Sequence, residues 1–284
     1  MNNFKTLIIL IPILFLISSC ATETTPLNLD TNHSNSIESS VTLAATKPFN
    51  YQKYQQVLST YVDQEGKVNY KVLKENRQVL DTFNASLATL SPDTFANWTE
   101  KEKIAFWINA YNSLTLLAII ENYPSKSIRD IPGVWTRIQF KVIGKEVTLD
   151  EIEHKILRVQ FNEPRIHMGL VCASIGCPIL LQEPYIGDKL DEQLNKQTRR
   201  FIALNQNFKI DKQDNKVYLS SIFKWFGEDF IPSFKVQEKF TGSDKERAVL
   251  NFLSQYLDES EQEYLMNGKY QIKYLDYDWS LNDQ

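Results

Sequence analysis

Two stretches of this sequence hold residue types that do chemistry. In Arg165-Ile166-His167-Met168-Gly169-Leu170-Val171-Cys172-Ala173-Ser174-Ile175-Gly176-Cys177-Pro178, an apolar run delivers a cysteine into a loop of small residues that closes on Cys-Pro. The thiolate is the nucleophilic form of cysteine, so a cysteine near a histidine is the raw material of a thiolate–imidazolium pair. Cys172 is the candidate nucleophile, and His167 or His154 the candidate base. His167 and Cys172 stand five residues apart, so a straight strand would point them to opposite faces, and they meet only if the chain bends. The same loop has a second use. A Cys172–Cys177 disulfide would clamp it and contribute about 2 kcal/mol by chain-entropy arithmetic. Buried inert thiols or an exchanging redox pair complete the alternatives, although the spacing is not the Cys-x-x-Cys of an exchange motif.

The second stretch is Phe106-Trp107-Ile108-Asn109-Ala110-Tyr111-Asn112. Asparagine is a poor helix former because its amide competes for backbone hydrogen bonds. At i and i+3, Asn109 and Asn112 share one helical face. Either they tie the helix to a neighbouring loop, or one amide orients a histidine or donates to an oxyanion. Glu153, Arg165 and Ser174 are candidates for orienting a ligand. Glu153 adjoins His154 but lies about 100° from it around an α-helix. Ser174 sits in Cys-Ala-Ser-Ile-Gly, which lacks the first glycine of a hydrolase elbow. Two cysteines and two histidines at these spacings fit no familiar zinc pattern, and no glycine-rich phosphate loop occurs, so neither metal nor cofactor is expected. Phe223, Trp225, Phe226 and Phe230 read as core, and Asp276-Tyr277-Asp278-Trp279 as a packed terminus.

The elements that must position these residues form an α+β pattern, helix-dominant, with a small antiparallel sheet or hairpins. Helices are predicted over Tyr51 to Tyr61 and Tyr70 to Leu90. Thr99 and Glu102 form a capping box that opens a helix running to Asn122. Ile138 to Ile143 and Val147 to Leu149 read as a hairpin about Gly144-Lys145. Thr148 and Glu151 form a second box, starting a helix through Arg158. Ile166 to Val171 reads as a short buried strand. A helix over Asp188 to Leu204, a hairpin of Phe208 to Ile210 with Val217 to Leu219, a helix over Ser243 to Leu257 and a strand over Tyr270 to Tyr274 complete the chain.

Residues 1–19 carry Lys5, an apolar run from Leu7 to Ile17 and Ser18-Ser19 before Cys20, the order of a secretory signal whose cleavage site resembles a lipobox. Cys20 is then the lipidation site, and acyl chains on it make a bilayer the expected partner. The apolar run is too short to span a membrane as a helix. Residues 20–47, rich in Thr, Ser and Asn and without an aromatic residue, read as a tether with a reach of about 30 Å. Residues 48–284 read as one globular domain. The expected location is the cell envelope, at the outer membrane where the source has two. Loss of residues 1–19 takes the bases from 31 to 30 against 35 acids. That mild acidity argues against nucleic acid as a partner.

Together, Phe106 to Asn112, Tyr123-Pro124, Leu149-Asp150-Glu151-Ile152-Glu153-His154, Pro164 to His167, Val171 to Pro178, Phe223-Lys224-Trp225-Phe226-Gly227-Glu228-Asp229-Phe230 and Tyr277 to Asn282 resemble the domain-of-unknown-function family numbered 547. The blocks run in order from about Tyr61 to the C-terminus, with Gly169 where alanine is more usual. The resemblance implies that the Asn-bearing helix, the Glu-Ile-Glu-His helix and the cysteine loop converge. At fold level the order of a helix and then a histidine-bearing strand is similar to the papain- and transglutaminase-like layout, with Asn109 or Asn112 where those enzymes carry cysteine. The expected function is a thiol-dependent hydrolase or acyl transferase acting on an amide substrate of the envelope. The alternative is a non-catalytic envelope binding module with a structural Cys172–Cys177 disulfide.

Overall fold

The fold is organised around one buried helix. The computed structural model describes residues 48–284. The expected signal peptide, lipidation site at Cys20 and tether fall in residues 1–47, outside the described residues. Helices α1 (Gln52–Tyr61), α2 (Tyr70–Glu75), α3 (Gln78–Thr89) and α4 (Pro92–Ala96) precede the central α5 (Glu100–Asn122). The expected reciprocal cap opens α5: Thr99 N donates to Glu102 Oε2 at 2.7 Å, and Glu102 N donates to Thr99 Oγ1 at 3.3 Å. From Ile104 to Ile120 only Leu117 is not fully buried. A helix that is apolar all round belongs inside a core. This one is long and apolar enough to cross a membrane, and its burial against α2 and α3 accounts for that composition.

One helix was expected over Tyr70 to Leu90, and two are found. Asn76 ends α2 by turning its Nδ2 back onto Val72 O at 2.9 Å, the local competition that makes asparagine a helix breaker.

Strands β1 (Phe140–Val142) and β2 (Lys145–Val147) form the first hairpin. Glu151–Leu157 follows as a π-helix, continued by α6 (Arg158–Gln160). The second capping box is present, but the winding it opens is wider than an α-helix: Arg158 N donates to Glu153 O, five residues back.

The expected strand over Ile166 to Val171 is absent. Pro164 to Met168 is a 3₁₀-helix, begun by Pro164 at its first position and by Glu163, whose side chain accepts from Arg165 N at 3.1 Å. The apolar run is buried because it wedges between two cores, and hydrophobicity alone does not separate a buried strand from a buried turn.

The remainder is α7 (Leu190–Ile202), β3 (Phe208–Asp211), β4 (Lys216–Leu219), α8 (Ser221–Phe226), α9 (Ile231–Phe234), α10 (Asp244–Ser254), α11 (Glu259–Asn267) and β5 (Gln271–Tyr274). β3 and β4 pair antiparallel as a hairpin, while β5 joins β4 in parallel, with Val217 opposite Ile272. The three-stranded sheet is therefore mixed, not purely antiparallel.

Two hydrophobic clusters result. The first gathers α1, α2, α3, α5, β1 and the start of α7. The second gathers the end of α7, the mixed sheet, α8 and α10, with Met168 inside it. The C-terminal tail leaves the second cluster and crosses to the first. Leu281 packs there, and Asn282 O accepts from Val68 N at 2.8 Å. On its way the tail straps the cysteine loop. Ile175 N donates to Ser280 O and Gly176 N to Asp278 O, both at 2.9 Å, while Asn282 N donates to Ala173 O at 3.1 Å.

Candidate functional site

Where the two clusters meet, a cleft of about 360 Å³ opens. Its lining brings together His154, Glu153, His167, Cys172 and Cys177, five of the residues singled out from sequence, along with Tyr111, Trp135, Asp150, Trp225, Phe226, Tyr277 and Trp279. A somewhat larger pocket of about 480 Å³ lies beside Phe49, Trp98 and Ile186, but among its charged lining residues are only Glu102 and Asp188. It holds no cysteine or histidine, and the chemistry belongs to the first cleft.

Cys172 sits half-buried at the start of the loop, and Cys177 is buried at its end. Both are free thiols. They are tied together without a bridge: Cys172 N donates to Cys177 Sγ at 2.9 Å, and the Tyr277 hydroxyl lies 3.1 Å from Cys172 Sγ and 3.0 Å from Cys177 Sγ. Between the cysteines, Ala173 holds a left-handed backbone at φ 59°, a conformation that costs a residue with a Cβ about 1 kcal/mol or more. Gly176 is required by contact: a Cβ there would come within 2.9 Å of the Tyr277 ring. The tail's grip thus places the phenol against both sulfurs.

This geometry divides the two thiols. Hydrogen bonding from Cys177, working against burial and helped by Tyr277 and Ser174, pulls the Cys172 thiol below its ordinary value. Burial, and then the adjacent Cys172, push Cys177 well above its own. Cys172 is therefore the more readily ionised thiol of the pair. Burial also drives the phenols of Tyr277 and Tyr111 upward, each reinforced by negative neighbours: the thiols for Tyr277, Glu153 foremost for Tyr111.

The two histidines of the lining are held by a chain of ionic hydrogen bonds through Arg158 and Asp229, which lie outside the lining itself. Arg158 grips Asp229 with two bonds, Nε to Oδ2 at 2.6 Å and a terminal nitrogen to Oδ1 at 2.9 Å. Its other terminal nitrogen lies 2.7 Å from His154 Nδ1, and because a guanidinium only donates, that ring nitrogen accepts. His154 Nε2 faces Asp150 Oδ1 at 3.7 Å. His167 Nε2 donates to Asp229 Oδ2 at 2.7 Å, since a carboxylate only accepts. The His167 ring is 3% exposed and stacks on Phe226 with centroids 4.3 Å apart. Arg158 lies over the same Phe226 ring at 5.0 Å. Burial opposes ionisation of Asp229, but hydrogen bonds from His167 and Arg158 outweigh it and hold the carboxyl down to about 2.

The sequence-predicted residues separate on this frame. Glu153 and His154 both face the cleft, although neighbours on an α-helix would diverge. A π-helix packs more residues into each turn, so successive side chains stand closer in azimuth. Asn109 and Asn112 reach no histidine. Asn109 donates to Tyr185 O at 2.7 Å and accepts from Tyr185 N at 2.9 Å. Asn112 donates to Gly169 O and accepts from Val171 N, both at 2.9 Å. The orienting contact on a histidine comes from Asp229 instead. Arg165 pairs with Glu163 and with Asp191, the latter at 2.7 Å, and binds the 3₁₀-helix to α7 outside the cleft lining. Ser174 is buried, 3.8 Å from Cys172 Sγ, and contributes to the sulfur's setting rather than to the lining. No histidine hydrogen-bonds Cys172 among the described residues; its partners are Ser174 and Tyr277. No cluster of three or more His, Cys, Asp or Glu able to hold a metal is present among the described residues.

Sequence reasoning passed over Asp229, Arg158 and Tyr277. The aromatic block around Trp225 and the closing Tyr-Asp-Trp were read as packing, yet each sends side chains into the cleft. Asp229 and Tyr277 lie in segments that carry the family resemblance, and that was the available signal for them; Arg158 lies in none of those segments.

Residues 95–202 match the model of a family described as "Protein of unknown function, DUF547". The matched stretch holds α5, the π-helix and the cysteine loop, whereas Trp225, Asp229 and Tyr277 lie beyond it. No curated protein and no solved structure matches the chain.

Proposed function

We propose that this chain is a thiol-dependent hydrolase or acyl transferase, with Cys172 as nucleophile, His167 as base and Asp229 as the residue that orients it. The observation that carries the reading is the division of roles around one cleft. Cys172 has its thiol lowered by its hydrogen-bonded neighbours, and His167 has one ring nitrogen fixed on a carboxylate. With Nε2 committed to Asp229, Nδ1 is the nitrogen left with a lone pair. That is the base-and-orienter arrangement of nucleophilic hydrolases, recognised by roles rather than by order in the chain.

The reaction balances as two acyl transfers. Cys172 gives its proton, through water or substrate, to His167 Nδ1, and its sulfur bonds to the acyl carbon. The carbon–nitrogen bond of the amide breaks, and the departing nitrogen takes the proton. Water, or a second amine, then attacks the thioester. Its proton returns through His167, and the carbon–sulfur bond opens to restore the thiol. His154, with Nδ1 occupied by Arg158, is the less suited of the two histidines for this role.

The address belongs to the same proposal. Export, cleavage before Cys20 and lipidation of that cysteine would hold the cleft at an envelope membrane, where amide substrates of the envelope are within reach of the tether. The test is alkylation of the native, reductant-free protein with iodoacetamide across pH, read by intact mass and peptide mapping. Selective modification of Cys172 well below the usual thiol range supports the nucleophile. A protein that gains no alkyl group until it has been reduced would carry a Cys172–Cys177 disulfide. In that case the cleft is a binding site and not a thiol enzyme's.

A further inference from the structure

The carboxylate of Glu153 is the unspent charge of the cleft. It is half-buried, and among the described residues no Lys, Arg or His nitrogen lies within ion-pairing distance of it. Its neighbours are the Tyr111 phenol and the Cys172 thiol, both of which its charge disfavours as anions. Asp150, the other carboxylate in the lining, has only His154 near it, at 3.7 Å. The lining includes neither lysine nor arginine. Tyr111 is its side-chain hydrogen-bond partner and Arg158 a cation that feels its charge, yet no basic group pairs with it directly, so a ligand cation can do so.

The walls suit a cation as well. Trp279 stands 4.5 Å from Tyr277 and 5.8 Å from Trp225, centroid to centroid, and Trp135 approaches Trp279 from the other side at 6.2 Å. Trp225 is 43% exposed at the mouth of this aromatic wall, so its ring is accessible to a ligand. Indole faces attract ammonium groups through the ring quadrupole. Two lining rings already carry cations of the chain itself, Arg129 over Trp279 at 5.2 Å and Arg158 over Phe226 at 5.0 Å, which leaves Trp225 as the exposed indole open to a ligand.

We propose that the cleft binds an alkylammonium group of its substrate, with the exposed Trp225 ring against the cation and Glu153 as its counter-ion. This inference rests on the thiol acyl-transfer reading for its reaction, and it names the substrate class: an amide or acyl acceptor that carries a protonated amine, as a lysine-like side chain does. Tight seating of that amine beside Cys172 would place the acyl group within reach of the sulfur.

The test is made on the Cys172→Ser protein, in which thiol turnover cannot consume the probe. N-acetyl-lysine N-methylamide and its neutral counterpart N-acetyl-norleucine N-methylamide are titrated while tryptophan emission is followed. The lysine probe binds with a Kd about tenfold lower than the norleucine probe, and Glu153→Gln removes about that factor for lysine alone. Because Glu153→Gln alters a packed position, Trp225→Leu serves as the second variant. Its ring is 43% exposed, Trp135 and Trp279 remain as reporters, and the lysine Kd rises about threefold. Equal binding of the two probes, or an unchanged lysine Kd in both variants, overturns the proposal. The outcome is separate from that of the thiol test, since amine binding without alkylation of Cys172 would keep the cation site and discard the reaction.

Discussion

The Asn109–Asn112 face of α5 and the cleft beside it are both polar intrusions into an apolar interior, and they differ in how completely they are satisfied. Each asparagine spends its carbonyl on one backbone N–H and its amide on one backbone carbonyl, at 2.7 to 2.9 Å. Both polar atoms of each amide are thus held by backbone, and neither asparagine lines the cleft. In the cleft, by contrast, capacity is left unused. His167 commits one nitrogen to Asp229, Glu153 has no basic partner among the described residues, and Cys172 Sγ is held by groups that favour its anion. A buried amide whose oxygen and nitrogen are both tied to backbone builds the scaffold, and a cleft group with a free nitrogen or no basic partner is available for chemistry. The two are linked in sequence, because Asn112 brackets Gly169 and Val171, the residues that lead into Cys172.

The largest loss is expected at Asn112. Asn112→Ala strands the Gly169 carbonyl and the Val171 amide, both buried, and is expected to cost about 3 kcal/mol in denaturant unfolding. If the amide were functional rather than structural, the variant would keep its stability and lose only reactivity. Asp229→Asn comes next, with a loss on the order of 2 kcal/mol at neutral pH, because Arg158 and His167 lose their shared carboxylate. The pH dependence fixes its origin. Asp229 is held down to about 2 in the folded chain, against about 4 for an ordinary aspartate. A depressed carboxylate contributes its stability in full above the unfolded value. That contribution is lost as pH falls from about 4 through about 2, worth on the order of 2 kcal/mol. In Asp229→Asn this acid-side loss flattens. An unchanged slope in urea melts over that window would mean that the carboxylate is not coupled to folding.

Much of the scaffold was legible because local signals and tertiary needs agreed. The Thr99 box, the two hairpins and the length of α5 follow from capping residues, turn residues and apolar periodicity, and each stands near its expected bounds. The site was legible as a list of residues more than as a geometry. Cys172, His167, His154 and Glu153 were named from type and spacing alone. The route by which they meet depends on a π-helix and a 3₁₀-turn, and no local pattern distinguishes these from the α-helix and strand they replaced. Asp229 and Tyr277 were missed for another reason: they lie 57 and 105 residues beyond Cys172 in sequence, and only the packing of the second core and the returning tail brings them in. Long-range placement of this kind leaves no period to read.

The smallest expected effect on stability is the sharpest on chemistry. Tyr277→Phe keeps the ring that packs against Trp279 and Gly176 and removes only the hydroxyl shared by the two sulfurs. Unfolding should change by less than about 1 kcal/mol, since sulfur is a weak hydrogen-bond partner. Reactivity responds differently. Tyr277 is one of the groups that lower the Cys172 thiol, so its loss moves that thiol upward, and the pH at which iodoacetamide begins to modify Cys172 rises with it. At neutral pH the rate should fall severalfold, while at alkaline pH, where both proteins carry the thiolate, the two rates converge or the variant becomes faster, because a more basic sulfur is intrinsically more nucleophilic. A uniform decrease at every pH would instead mean that the hydroxyl acts through loop geometry, and the pairing of phenol with thiolate would have no part in the site's chemistry.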